Sequence, residues 1–122
     1  MSFSEYIKNE TLALEIINKA YMRNVKSAKR ILLKGDVEVS LEAAEVFAKA
    51  NILLLGNESQ TIGPFDNPMD VHITLLKENI ILLEGINLSE VNEGVYFLHA
   101  APLNLAGADG APCRATLIDF NK

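Results

Sequence analysis

One cysteine, Cys113, is all the chain carries, so no internal disulfide is available to it. Its flanks, Ala111, Pro112, Arg114 and Ala115, hold no histidine to activate a thiolate, which leaves a packed small residue as the reading. Basic residues are outnumbered, 11 against 16 acidic, for a net charge of −5. That balance lacks the basic patch a nucleic-acid partner requires, and it disfavours an anionic membrane surface. No apolar run approaches the length of about eighteen residues that a membrane span needs, and the N-terminus has no signal-peptide pattern. Repeats, low-complexity tracts and linkers are missing as well. A cytoplasmic protein without membrane or nucleic-acid partners is the expectation.

What is present suffices for a core. With 122 residues, 49% of them hydrophobic and 22% charged, the chain fits one domain over 1–122. At that size roughly two-thirds of the unfolded surface is buried. Phe3, Ile7, Leu14, Ile17 and Tyr21 recur at helical spacing and predict a helix over 3–22. Arg30 to Lys34 reads as a strand stopped by Gly35-Asp36. Ser40 caps a helix over 40–50, with Leu41, Ala44, Val46, Phe47 and Ala50 facing inward and Glu42 and Glu45 facing water. Ile52 to Gly56 is a continuous apolar run, as in a strand buried on both faces. A long loop from Gly56 to Met69 follows, punctuated by Gly63-Pro64 and Asn67-Pro68. Loops of that length directly after a buried strand are more often functional than connecting. One helical turn is expected at Leu88 to Val91. An antiparallel pair, 95–105 with 113–119, closes the chain around the turn residues Gly107 to Gly110. These alternating patterns predict an α/β fold, with a mixed sheet flanked by the two helices.

The chain is organised around Asp70 to Gly85. His72 sits near the start of a short helical segment, and twelve residues later Glu84 ends the apolar run Ile80-Ile81-Leu82-Leu83. A glutamate is out of place as packing at that position, whereas the C-terminal ends of strands in α/β sheets are where ligands gather. Imidazole and carboxylate both suit zinc or manganese. The tight turn Lys77-Glu78-Asn79 brings the two side chains within reach of one ion. Asp70 reads as a cap for the helix starting there, and His99, on a strand, reads as structural.

Several blocks together resemble the cyclase family of metal-dependent hydrolases, which includes bacterial kynurenine formamidases and isatin hydrolases. The segment Ala101 to Ala115, A-P-L-N-L-A-G-A-D-G-A-P-C-R-A, is similar to that family's closing hairpin. Leu55-Gly56-Asn57-Glu58-Ser59-Gln60-Thr61 resembles its post-strand loop, although the family usually carries an apolar residue and then Asp after that glycine. His72 and Glu84 fall where the family places its late histidine and glutamate metal ligands. The resemblance covers 28–122, with 1–27 lacking a clear counterpart. It implies the C-terminal part of a swivelling β/β/α fold, a zinc or manganese cofactor held by His72 and Glu84, and substrate contacts from Glu58, Gln60 and Arg114. Arg114 alternatively pairs with Asp109 or Asp119.

The family's first half supplies most metal ligands through H-x-G-T-H-x-D-x-P-x-H, and this sequence contains no H-x-x-x-H. A catalytic zinc takes about three protein ligands, and His72 and Glu84 are two. The isolated chain is therefore expected to be inactive. Three readings stay open: a subunit of a split amide hydrolase completed by a second polypeptide bearing the missing motif; a non-catalytic descendant binding a small molecule or protein as an oligomer; or a scaffold with a vestigial pair. Open sheet edges and apolar surface lead to the expectation of a homo-oligomer.

Overall fold

The computed structural model describes residues 29–120, so the helix expected over 3–22 lies outside the described residues. Two compact units divide the chain, Met1–Glu90 and Val91–Lys122, within what the sequence reads as one domain.

The first unit runs β1 (Arg30–Leu33), α1 (Leu41–Lys49), β2 (Leu54–Asn57), α2 (Met69–Leu76) and β3 (Ile81–Leu83). Its three strands pair in parallel in the order β1-β2-β3, with Ile31 beside Leu55, Leu33 beside Asn57 and Leu55 beside Leu82. Parallel neighbours need a crossover, and α1 and α2 supply the two crossovers here. Strand alternation turns Ile31, Leu33, Leu55 and Leu82 to one face, where they join Ala43, Ala44, Val46 and Phe47 of α1 and Val71 and Leu75 of α2 in the core. Phe47, Leu33 and Leu55 are fully buried; each such side chain contributes about 1.5–3 kcal/mol.

Local chemistry sets the helix ends. The Ser40 hydroxyl accepts the Ala43 N–H at 3.2 Å, satisfying one of the donors a helix start leaves unpaired. Beyond α1, Asn51 takes a left-handed φ of 56°. Beyond α2, Asn79 does the same at 60°. There the Ile80 N–H reaches back to the Leu75 carbonyl and the Asn79 N–H to the Leu76 carbonyl. This is the Schellman closure, with buried Leu75 against buried Ile80, and it turns the chain directly into β3.

In the second unit β4 (Phe97–Pro102) pairs antiparallel with β5 (Cys113–Ile118), as expected, Phe97 opposite Ile118 and Ala101 opposite Arg114. Leu98, Ala100, Cys113, Ala115 and Leu117 are half-buried, while His99, Thr116 and Arg114 alternate with them on the exposed side. The Phe97 and Phe120 rings meet edge to face at 5.9 Å.

Several expectations are corrected. Among the described residues the expected single mixed sheet is instead two sheets, each of one sense, with β4 and β5 paired to each other. β2 is buried along its length, but β3, with β2 as its one neighbour among the described residues, leaves Ile81 62% exposed. Leu41 is exposed at the first position of α1 and Ala43 takes its place in the core. Ser89-Glu90 is a turn, not a helix. Asp70 lies inside the first turn of α2, and the capping position belongs to Pro68, which offers no side-chain bond. Among the described residues, no helix is long and apolar enough to cross a membrane.

Candidate functional site

α2 begins just after Pro68, so the first-turn residue four places on, His72, lies directly over the proline carbonyl. That oxygen accepts the His72 backbone N–H at 3.0 Å and stands 3.0 Å from the ring Nδ1. A carbonyl oxygen only accepts, so Nδ1 carries the proton and the ring is fixed in tautomer and orientation. Its other nitrogen, Nε2, then faces Glu84 Oε2 at 3.1 Å. The two side chains are 26% and 30% exposed, open enough for a ligand to reach them.

Glu84 follows β3 directly, at the C-terminal end of the parallel sheet. The Ile62 N–H donates to its Oε2 at 2.7 Å. Oε2 thus accepts from the loop after β2 and stands beside the ring nitrogen. The donor set suits a divalent cation: one imidazole nitrogen and one carboxylate, with the distal ring N–H tied to a backbone carbonyl, the usual support for a metal-binding histidine. Two ligands of a tetrahedral zinc stand about 3.3 Å apart, near the separation found here. Among the described residues no group of three or more His, Cys, Asp or Glu side chains could hold a metal ion.

The other residues singled out from the sequence each have their own surroundings. Both carboxylate oxygens of Glu58 are engaged by backbone: Gly35 N–H donates to Oε2 at 2.6 Å and Leu88 N–H to Oε1. The side chain brackets the segment after β1 to the segment after β3. Gln60 is exposed and, with Asp36, Glu38, Thr61 and Phe65, lines a shallow depression. Arg114 is exposed on β5, in the second unit. His99 is likewise exposed on β4.

Sequence reasoning missed the backbone half of the site, the Pro68 carbonyl and the Ile62 amide. The first was within reach, because a residue four places into a helix lies over that carbonyl. The second had no local signal, being 22 residues from its partner.

No protein-family model matches the sequence. Individual relatives do. Cyclase-like protein 3 of Oryza sativa subsp. japonica is 31% identical over 109 residues, spanning 84% of this chain and 40% of that protein. A kynurenine formamidase of Salinibacter ruber is 36% identical over 107 residues, 76% of this chain and 50% of that protein. A solved structure described as a potential metal-dependent hydrolase with cyclase activity matches with a TM-score of 0.78 at 25% identity, covering 96% of this chain and 61% of that one. The chain spans about half the length, or less, of these curated relatives.

Proposed function

Because this chain is a cyclase-family homologue whose coverage of its relatives fits a C-terminal half, we propose that it supplies one part of a metal-dependent hydrolase of non-peptide carbon–nitrogen bonds, formamidase-like in its substrates. His72 and Glu84 are the metal ligands this chain contributes, for zinc or manganese. The observation that carries the reading is the 3.1 Å approach of Nε2 and Oε2 with Nδ1 already anchored on Pro68. In this reading the fold is the C-terminal part of the swivelling β/β/α architecture.

A bound zinc or manganese ion would lower the pKa of a coordinated water and polarise an amide carbonyl. The chain's own residues do the rest. Pro68 keeps the His72 lone pair aimed at the site, and Glu84 supplies negative charge to balance the cation. The Ile62 N–H holds one carboxylate oxygen in place. The remaining ligands and the proton-transferring group come from a second polypeptide with the H-x-G-T-H-x-D-x-P-x-H motif, and the assembly is a homo-oligomer or a complex of the two chains.

Zinc and manganese titrations of the purified chain test this, alone and mixed with a polypeptide bearing that motif. Weak binding alone, abolished by His72→Ala or Glu84→Gln, and tight binding with formamidase turnover in the mixture are expected. Robust turnover by this chain alone would overturn the split site. A second reading, a non-catalytic oligomer that binds a small molecule or protein, is favoured by the two-ligand count among the described residues. It expects no turnover in either preparation.

A further inference from the structure

Asn57 is fully buried at the end of β2, beside Leu33 in the sheet register, and is the one buried polar residue in the described core. Its Nδ2 donates to the Val37 carbonyl at 3.1 Å and to the Thr61 carbonyl at 3.0 Å. Both partners only accept, so the amide orientation is unambiguous. Its Oδ1 is buried without a partner among the described residues. An apolar side chain of similar size would avoid that desolvation cost. Asn57 therefore serves through its two donated bonds and not through packing.

One of those bonds lands on a telling peptide. The Thr61 carbonyl and the Ile62 N–H belong to the same peptide plane. Asn57 holds the oxygen end of the plane, and Glu84 Oε2 accepts from the nitrogen end at 2.7 Å. The next carbonyl, that of Ile62, accepts the Val39 N–H at 2.9 Å, and the Ile62 side chain is fully buried. Bonding at the carbonyl polarises the amide and strengthens the N–H as a donor. We infer that Asn57 is a positioning residue for Glu84, acting through the peptide plane between Thr61 and Ile62. Fixing that plane fixes Oε2, the oxygen that stands 3.1 Å from His72 Nε2, and with it the separation at which the pair would meet a cation. The inference rests on the metal reading of Glu84 given above for its consequence, though not for its geometry.

The test uses the whole chain, with amide NMR of Ile62 and a titration with zinc alone. In the native chain the Ile62 N–H resonates downfield, and Glu84→Gln moves it upfield. Asn57→Leu, which keeps volume and removes both donors, moves the same resonance upfield and weakens zinc binding about fivefold. Val46→Ala, a core truncation in α1 remote from these bonds, lowers stability and leaves both readouts unchanged. If Asn57→Leu does not fold, Asn57→Thr, which suits a strand and reaches at most one carbonyl, carries the same expectation with a smaller shift. An Ile62 resonance and a zinc affinity both unmoved by the Asn57 substitutions would overturn the inference. Zinc affinity that ignores His72→Ala and Glu84→Gln would instead overturn the metal reading. The Ile62 resonance then decides the positioning alone, movement by Asn57→Leu supporting it and constancy refuting it.

Discussion

Gly63 and Pro68 touch so closely that a Cβ on Gly63 would stand 2.9 Å from the Pro68 Cα and 3.2 Å from the Pro68 carbonyl oxygen. That oxygen anchors the His72 ring, so the loop after β2 and the histidine share one support. Gly63→Ala must push backbone aside, and a cost of about 1–3 kcal/mol is expected from the overpacking. Urea denaturation measures the cost, and ring nitrogen NMR of His72 reads the displaced carbonyl. A substituted chain with native stability and an unmoved His72 signal would show that the loop yields without disturbing the ring.

Glu58 offers a contrast. Its two oxygens hold the Gly35 and Leu88 amides, from segments that follow two different strands. Glu58→Ala is expected to cost about 2–4 kcal/mol, two charge-assisted bonds being lost together, and Glu58→Gln about half of that. Zinc affinity should hold in the Gln variant. A denaturation midpoint unchanged by Glu58→Ala would refute the bracket and return the residue to consideration as a substrate contact.

At Glu84 the structural and ligand roles separate by substitution. Glu84→Gln keeps a carbonyl oxygen for the Ile62 N–H, so stability should fall by less than about 1 kcal/mol while zinc binding is lost. Glu84→Ala leaves that N–H without its acceptor and should cost about 1–3 kcal/mol in addition to the binding. Paired denaturation and titration curves check this, and equal stability losses in the two variants would contradict it.

Ser40 tests the helix start alone. Ser40→Ala removes the acceptor of the Ala43 N–H and is expected to cost about 1 kcal/mol, with Ser40→Asp close to native. Thermal melts followed by circular dichroism distinguish them, and a Ser40→Ala melt indistinguishable from native would mean the hydroxyl contributes nothing.

The first unit was readable because its elements are punctuated locally. Ser40, Asn51 and Asn79 mark helix ends by their own hydrogen bonds and backbone preferences, and apolar runs mark β2 and the approach to β3. The meeting of His72 and Glu84 was readable for the same reason, since one tight turn joins α2 to β3. The β4–β5 pair was legible too, but the division of the described strands into two sheets was not, because it depends on contacts no local pattern encodes. Ile81 is as apolar as its neighbours, yet it is exposed on a strand with one neighbour among the described residues. Asn57 and Glu58 were hardest to read: adjacent in sequence, they point to different partners, one into the core and one to two distant amides.

The connections also set a timetable for folding. β4 and β5 are joined by the local segment 103–112, in which Gly107 has a φ of 75° that suits glycine, and an antiparallel hairpin closes in about 1–10 μs. No parallel pair in the first unit has such a shortcut. β1 cannot meet β2, nor β2 meet β3, until a helix-bearing crossover has looped back, and the entropy of that closure must be met before any ladder bond forms. Refolding should therefore be biphasic. The late phase belongs to the parallel sheet, and with it to the moment at which Glu84 first comes within reach of His72.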